Sequence, residues 1–140
     1  MSGTLHQATC VAIGGRAVLI EGRPGSGKSS LALALIDRGA VLIGDDGVLL
    51  ERDGERLLAS PAPATAGLLE VRNVGLLTCP TLSRVPVALL IGLDPDAPRF
   101  RDAPALLERG GVRIPAISLW PDSPILGLRA ELALRTYGLV

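Results

Sequence analysis

Residues 21–30 read EGRPGSGKSS and contain the most informative motif of the chain. From Gly22 to Ser29 they match the pattern G-x-x-x-x-G-K-[ST] in full, between an apolar run typical of a strand and one typical of a helix. The glycines permit a concave turn whose backbone N–H groups point at phosphate oxygens, and the start of the helix adds further donors. The stretch therefore predicts a nucleotide-binding loop.

The residue types in this loop predict which side chains would bind the phosphates and Mg²⁺. We expect Lys28 to reach the β- and γ-phosphates and the Ser29 hydroxyl to ligand Mg²⁺. The sequence contains no N-K-x-D motif for guanine and no apolar run that ends in D-x-x-G, so a GTPase is not indicated. The residues expected to contact the nucleotide are Gly22, Arg23, Pro24, Gly25, Ser26, Gly27, Lys28, Ser29 and Ser30.

Length and composition limit the remaining possibilities. The 140 residues predict one domain, 1–140, and 14 basic residues balance 14 acidic ones. With one Trp, one Tyr and one Phe, few side chains could stack on bases, so nucleic-acid binding is not expected. No apolar run is long enough to span a membrane and no secretory signal is visible, so we expect a cytoplasmic protein. Cys10 and Cys79 show no metal or disulfide spacing and are expected to be free.

The elements around the loop predict a mixed sheet. Two strands, 8–13 and 16–21, flank Gly14-Gly15, which suits a two-residue hairpin turn. The run KSSLALALIDRG predicts a helix with Gly39 in the C-cap position. This helix is apolar nearly all round its middle, so we expect it to lie deep in the fold.

The rest of the chain alternates strands, turns and one further helix. The hairpins favour an α/β domain with a mixed sheet rather than an all-parallel one. The expected elements are strands on either side of Asp45-Asp46 and of an Asp53-Gly54 turn, a Pro-rich loop at 60–67, an apolar stretch at 68–77, a buried strand ending at Asp94, a short helix at 103–109, a last strand in VRIPAISLW, and a C-terminal helix with Ser123 as N-cap and Pro124 at its first position.

Asp45 and Asp46 follow the strand directly after the loop helix. The carboxyl ends of strands border the ligand crevice in α/β sheets, so one acid could approach Mg²⁺ while the other faces an incoming hydroxyl. An acidic turn that enters the next strand explains the same residues about equally well.

Two further residues carry a weaker signal. Glu70 lies in the thinly charged stretch AGLLEVRNVGLL, where a carboxylate needs a cation. Mg²⁺ or Arg72 could supply it, and a solvent-facing Glu on an edge strand is the simpler alternative. His6 is the only histidine; it could serve a site where protons move or could simply be solvated.

Together these residues resemble the catalytic domain of the HPr kinase/phosphorylase family, in its short form without a separate N-terminal domain. That family has a His before a hairpin, then the phosphate loop and helix, then Asp-Asp, then a signature similar to LLEIRGLGI. Here the matching pieces are His6, GRPGSGKS, DRGAVLIGDD and GLLEVRNVGLL, in the same order, and the resemblance extends over about residues 5–93. It implies the P-loop fold of the phosphoenolpyruvate-carboxykinase type, with a mixed sheet and flanking helices.

The resemblance also implies a reaction and residue roles. The domain would be an ATP- and Mg²⁺-dependent protein-serine kinase that phosphorylates HPr, the phosphocarrier of the sugar phosphotransferase system, and could also run the phosphate-dependent reverse reaction. Lys28 would hold the transferred phosphoryl group, and Asp45 would accept the proton of the serine. Ser29 and Glu70 would ligand Mg²⁺ together with Asp46, and His6 would lie beside the catalytic centre. Family members form hexamers, so a homo-oligomer is implied.

The chain departs from the family pattern in places. Arg23 and Ser30 stand where acidic residues are common, Pro24 stiffens the turn, and the G-R-N motif near the C-terminal end is absent. Arg84 and Arg129 are not assignable to the role of the missing arginine. Two alternatives therefore stay open: a non-catalytic module that senses nucleotide, and a small-molecule kinase whose lid would be the segment PRFRDAPALLERGGVR.

Overall fold

In the computed structural model, which describes residues 3–140, the chain before the phosphate loop forms the expected hairpin. β2 (Thr9–Ile13) pairs antiparallel with β3 (Arg16–Gly22). Gly14 and Gly15 have φ of 56° and 82°, the left-handed values that a tight two-residue turn requires. This prediction is confirmed, and the turn fixes the register that brings β3 into the phosphate loop.

The helix after the loop, α1 (Lys28–Asp37), is buried on one side only. Leu31, Ala32 and Leu35 pack into the core, whereas Leu33 and Ala34 are exposed. The expectation that this helix lies deep in the fold is therefore wrong for its outer face, because α1 covers the sheet as an outer layer. The chain turns away after the C-cap residue Arg38, and Gly39 follows at φ 107°, one position beyond the cap.

The other elements follow in chain order. The loop over 60–67 contains a single 3₁₀ turn at Pro63–Thr65. The strands and helix are β1 (Thr4–His6), β4 (Val41–Gly44), β5 (Val48–Asp53), β6 (Arg56–Pro61), β7 (Leu68–Val71), β8 (Gly75–Thr78), β9 (Val85–Leu93), β10 (Ala105–Arg109), β11 (Val112–Leu119) and α2 (Leu126–Tyr137).

Nine of these strands form one mixed sheet. Its main path runs β1-β5-β6-β9-β3-β2-β4, and a branch continues from β9 through β11 to β10. The pairs β3–β9 and β9–β11 are parallel and the remaining pairs are antiparallel, whereas β7 and β8 form a separate hairpin. The expected α/β arrangement with a mixed sheet is confirmed.

Two hydrophobic clusters lie on opposite faces of this sheet. Side chains alternate along β3, so Leu19 packs into one cluster and its neighbours Val18 and Ile20 into the other. The second cluster contains Leu31 of α1 and Leu134 of α2, which shows that both helices cover the same face. The first cluster is enclosed by the strands themselves, so the nine-stranded sheet curls around it.

Two details of the C-terminal third differ from expectation. Residues 103–109 do not form a helix, because Gly110-Gly111 makes a second left-handed turn and pairs β10 with β11. The last helix begins at Leu126 rather than at residue 124. Ser123 does not cap it; its Oγ accepts a hydrogen bond of 3.2 Å from the backbone N–H of Ile125, within the turn before the helix.

Candidate functional site

The phosphate loop connects the carboxyl end of β3 to α1, beside the carboxyl end of the parallel strand β9. Lys28 is the first residue of α1, and its Nζ donates hydrogen bonds to the carbonyl oxygens of Gly22 at 3.1 Å and Arg23 at 3.2 Å. The ammonium group therefore lies across the loop, where an anion seated on the loop would meet it.

The backbone of the loop explains why glycines occur in it. A β-carbon on Gly22 would lie 2.5 Å from Oγ of Ser26, so a larger residue would displace that hydroxyl. Gly25 and Gly27 have φ of 79° and 102°. Ser26 Oγ is the one fully buried side-chain oxygen or nitrogen in residues 3–140 that makes no hydrogen bond within the protein. A narrow backbone turn with a free hydroxyl suits a phosphate group.

Asp45 is the residue at which the parts of the site meet. Its Oδ1 accepts hydrogen bonds from Ser29 Oγ at 2.7 Å and from Thr9 Oγ1 at 3.1 Å. Its Oδ2 accepts one from the backbone N–H of Glu70 at 3.2 Å. One carboxylate thus joins α1, β2 and β7 at the end of β4. The residue is more than a solvated turn acid.

Thr9 is a member of this site that the sequence analysis missed. It is fully buried, and no other polar side chain in residues 3–140 is buried to that degree. Its Oγ1 donates to Asp45 and accepts a hydrogen bond of 3.4 Å from the backbone N–H of Asp46. A hydroxyl within the apolar run ATCVAI was the available signal, but it becomes specific only once β2 is known to pair with β4.

Asp46 differs from Asp45 in its surroundings. It has a φ of 63°, which turns its backbone away from β4, and its side chain is exposed. It lines a cavity of about 490 Å³ together with Lys28, Ser29 and Glu70. The acid pair is therefore divided between a half-buried carboxylate held by three donors and an exposed one that faces the cavity.

Glu70 and Arg72 reach the same cavity from the β7–β8 hairpin. Glu70 is exposed, and within residues 3–140 it forms no ion pair with Arg72. A β-carbon on Gly25 would lie 3.9 Å from Nη2 of Arg72, so this guanidinium lies over the phosphate loop. The hairpin places one acidic and one basic residue beside the loop. Of the two, Arg72 was not predicted as a site residue.

His6 takes part in an ion-pair cluster next to the loop. Its Nε2 lies 2.7 Å from Oε2 of Glu21, the residue that immediately precedes Gly22. Arg109 of β10 binds the same carboxylate through Nε at 2.9 Å and Nη2 at 2.7 Å. His6 is therefore not a solvated terminal residue. Glu21 and Arg109 were not predicted, because their contact spans 88 residues.

Arg109 and His6 stabilise the ionised form of Glu21. Burial alone would raise the pKa of Glu21, but the hydrogen bonds from Arg109 and His6 and their positive charges outweigh it and hold that pKa below its ordinary value. The pKa of Arg109 is raised in turn, chiefly by its hydrogen bond to Glu21. Glu21 is therefore an ionised carboxylate at neutral pH, on the wall of the 490 Å³ cavity.

The two arginines considered for the missing motif lie elsewhere. Arg84 forms an ion pair with Glu51, and the guanidinium of Arg129 lies 5.8 Å from the ring centre of Trp120. Neither lines the main cavity, whereas Arg72 does. A second cavity of about 810 Å³ lies on the other side of the loop and shares Gly22, Pro24 and Gly25 with the first.

The site contains oxygen donors but no complete metal cage. In the part of the chain that the structure describes, no group of three or more His, Cys, Asp or Glu residues could hold a metal alone. Mg²⁺ in phosphoryl-transfer sites commonly binds one or two carboxylates and keeps phosphate and water ligands, so a sparse donor set suits it. Cys10 is a buried free cysteine and Cys79 a partly buried one. No helix within residues 3–140 has the length and apolarity needed to cross a membrane.

Comparison with known proteins gives a consistent result. Residues 2–83 match the family model of the HPr Serine kinase C-terminal domain. An HPr kinase/phosphorylase of Exiguobacterium sp. (strain ATCC BAA-1283 / AT1b) is 36% identical over 99 residues, which cover 65% of this chain and 32% of the relative. The HPr kinase/phosphorylase of Streptococcus gordonii is 34% identical over 118 residues, 75% of this chain and 38% of the relative. The chain thus spans about a third of the length of these curated relatives.

A solved structure extends the likeness beyond the matched segment. The Hpr(Ser) kinase/phosphatase from Coxiella burnetii superposes with a TM-score of 0.83 at 28% identity, over 95% of this chain and 89% of that one. The fold expected from the resemblance is confirmed by this match. The family model covers more than half of the chain, and the superposition extends into the C-terminal part that it leaves out. The chain belongs to the HPr serine kinase C-terminal domain family.

Proposed function

We propose that this domain transfers the γ-phosphoryl group of ATP to a seryl hydroxyl of an HPr-like phosphocarrier protein. The observation that carries the proposal is the convergence of Lys28, Ser29, Asp46 and Glu70 on one cavity of about 490 Å³ beside the phosphate loop. Phosphoryl transfer needs in-line placement, charge neutralisation and one oriented base, and this set of side chains can supply all three.

The loop would bind the triphosphate. Its inward N–H groups, the start of α1 and the ammonium of Lys28 favour the phosphate oxygens. In the structure, Lys28 Nζ contacts two loop carbonyls, and a phosphate would replace these weaker partners. The second cavity, of about 810 Å³ on the far side of the loop, leaves room for the rest of a nucleotide.

Mg²⁺ fits the oxygen donors beside the start of α1. Ser29 Oγ and Asp45 Oδ1 are 2.7 Å apart, and the exposed carboxylate of Glu70 reaches the cavity from β7. A bound Mg²⁺ would neutralise charge on the β- and γ-phosphates. Ser29, Glu70 and one acid of the pair would hold it, with water and phosphate as the other ligands.

The contacts of the two acids suggest which one acts as the base. Asp45 is engaged by Ser29, Thr9 and Glu70 N–H, a set of contacts that suits a carboxylate fixed on the metal side. Asp46 is exposed on the cavity wall, where an incoming hydroxyl would arrive. We infer that Asp46 accepts the serine proton and Asp45 serves the metal, which exchanges the roles that the resemblance alone implies.

The reaction is then a simple exchange of phosphoryl acceptors. The serine oxygen forms a bond to the γ-phosphorus, the bond from that phosphorus to the bridging oxygen of ADP breaks, and the serine proton passes to the carboxylate. In the phosphate-dependent reaction, an oxygen of inorganic phosphate would bond to the phosphorus of phosphoserine and the bond from that phosphorus to the serine oxygen would break. The carboxylate would return the proton to the serine oxygen, and pyrophosphate would form.

Transfer of label tests this proposal. The protein is incubated with HPr, Mg²⁺ and ATP labelled in the γ-phosphate, and label on HPr is followed for the unchanged protein and for Lys28→Met and Asp46→Asn. We expect label on HPr with the unchanged protein and a loss of at least ~100-fold in each variant, the scale of one positioned base or one charge clamp. Full transfer by both variants, or none by folded unchanged protein that binds ATP, contradicts the proposal.

A regulatory module that senses nucleotide is the second candidate. The positions of Arg84 and Arg129 favour this candidate. Both lie outside the 490 Å³ cavity, so neither replaces the arginine of the missing G-R-N motif. The regulatory module predicts that ATP raises the melting temperature without any phosphoryl transfer. The small-molecule kinase has less support, because residues 105–109 of the segment expected to be its lid are paired into the sheet as β10.

We further propose that the protein is a homo-oligomer, with a hexamer as the form implied by resemblance. Several large apolar side chains are exposed, including Leu5 on β1, Val74 and Leu76 on the β7–β8 hairpin, and Leu106 on β10. Apolar surface of this kind is often covered by a second copy. Sedimentation at several concentrations tests the proposal, and a monomer at all of them would contradict it.

A further inference from the structure

Glu21 places a negatively charged carboxylate beside the phosphate loop. It immediately precedes Gly22, the first glycine of the loop, and it lines the same cavity as Lys28 and Ser29. Its lowered pKa keeps it ionised at neutral pH. A bare carboxylate at this point would repel the several negative charges of a triphosphate.

Arg109 forms a bidentate ion pair with this carboxylate. Its Nε and Nη2 bind the two oxygens of Glu21 in a bidentate pair at 2.9 and 2.7 Å. Its remaining nitrogen, Nη1, donates to the carbonyl oxygen of Glu108 at 2.8 Å. Each of the three guanidinium nitrogens therefore makes a hydrogen bond within the protein. Glu21 lines the 490 Å³ cavity and Arg109 does not, so Arg109 acts on that cavity through Glu21.

The surrounding fold holds this pair in place. β1 and β10 are two of the three terminal strands of the branched sheet, and Glu21 is on β3, which pairs with β9 and β2. His6 approaches the carboxylate from β1 and Arg109 from β10, so one side chain ties both outer strands together beside the loop. The left-handed turn at Gly110-Gly111 directly follows Arg109 and fixes where β10 ends.

We propose that Arg109 is a positioning residue for nucleotide binding: it neutralises Glu21 and fixes its carboxylate, so that the wall of the cavity next to the phosphate loop accepts a polyphosphate. The proposal rests on the nucleotide binding proposed above. Arg109 lies far from the loop in sequence, at a position where a helix was expected, and only the β10–β11 hairpin brings it to the site.

Calorimetric titration with MgATP tests this at low and high ionic strength. Removing one neutralising charge near a polyanion should weaken binding about tenfold in Arg109→Met. Glu21→Gln should tighten binding, because Arg109 is left with its charge free. The double variant Glu21→Gln/Arg109→Met should return to within about threefold of the unchanged protein, since the charges then cancel again. Both single-variant effects should shrink when salt is raised from about 0.05 M to about 0.5 M.

The matched control is Arg38→Met. Arg38 forms a similar pair with Glu131 of α2 at 2.8 Å, at the end of α1 away from the loop, so its loss changes net charge equally without changing the cavity wall. Its affinity for MgATP should equal that of the unchanged protein. If Arg109→Met does not fold, the salt dependence of Glu21→Gln and the affinity of Arg109→Lys, which retains the charge, test the same claim.

Three results overturn the proposal: affinity in Arg109→Met equal to that of the unchanged protein, a double variant as weak as Arg109→Met, or a loss of affinity that salt does not reduce. The last two would make Arg109 purely structural. Absence of MgATP binding in the unchanged protein is a different outcome, because it refutes the proposed nucleotide binding itself.

Discussion

Replacing Thr9 by valine removes one buried hydroxyl and leaves the side-chain volume almost unchanged. That hydroxyl donates to Asp45 at 3.1 Å and accepts from the N–H of Asp46 at 3.4 Å, so it braces both acids of the site. The variant therefore tests whether the acids owe their positions to a residue that never touches a substrate.

The expected loss of stability follows from these contacts. A hydrogen bond to a charged group contributes about 1.5–3 kcal/mol. Asp45 Oδ1 keeps its stronger bond to Ser29 at 2.7 Å, and the new methyl group is buried, so part of the loss is offset. We expect the free energy of unfolding to fall by about 1–2 kcal/mol, which lowers the melting temperature by roughly 3–8 °C in a domain of this size.

We expect Thr9→Val to reduce the rate of phosphoryl transfer more than its loss of stability alone suggests. Asp45 would lose one of its three hydrogen-bond donors, and the backbone N–H of Asp46 would lose its acceptor. Both acids would therefore be held less firmly in their positions. We expect kcat for phosphoryl transfer to fall about tenfold with little change in KM for ATP, because the phosphate loop itself is untouched.

Thermal unfolding and steady-state transfer to HPr are measured side by side for Thr9→Val and Thr9→Ser. The serine variant keeps the hydroxyl and is the matched control, so it should retain most of the activity. Equal kcat in the two variants would refute the bracing role. A loss of stability in Thr9→Val with unchanged kcat would reduce Thr9 to a structural residue.

Three other perturbations probe separate parts of the site. Gly22→Ala should abolish stabilisation by MgATP while circular dichroism shows the fold retained, because the new β-carbon would lie 2.5 Å from Oγ of Ser26; normal ATP stabilisation would show that the loop tolerates the methyl group. Asp45→Asn should raise the Mg²⁺ concentration needed for half-maximal transfer, whereas Asp46→Asn should lower kcat at saturating Mg²⁺; the reverse pattern would restore the roles implied by resemblance. The lowered pKa of Glu21 means that its ionised form stabilises the fold above the unfolded value near 4.5, and that this stabilisation is lost as pH falls through the lower folded value. Urea unfolding should therefore show Glu21→Gln most destabilised at pH 7, with the difference from the unchanged protein shrinking as pH falls below about 4.5, and a difference independent of pH would contradict this sign.

Local signals predicted the centre of the site well. The phosphate loop, the Gly14-Gly15 turn and the strand β4 that precedes Asp45 each depend on a short run of consecutive residues, where backbone preferences and burial pattern act directly. The fold class followed because strands of this kind must pair and be covered by a helix. These predictions needed no knowledge of which strands are neighbours.

The missed residues depend on distant pairing. Thr9 meets Asp45 across 36 positions, and Glu21 meets Arg109 across 88, so no pattern along the chain marks either contact. The misassigned segment at 103–109 has the same origin. Its apolar residues suit a short helix as well as a strand, and pairing with β11 decides between them.

Phosphorus NMR of one mixture that contains the protein, HPr, Mg²⁺ and ATP tests the proposed transfer most directly. We expect the γ-phosphate resonance of ATP to decline while ADP and a phosphoserine resonance on HPr grow in equal amounts, and we expect Asp46→Asn to stop both changes. Persistence of ATP, or release of inorganic phosphate without any phosphoserine, would contradict the proposed transfer.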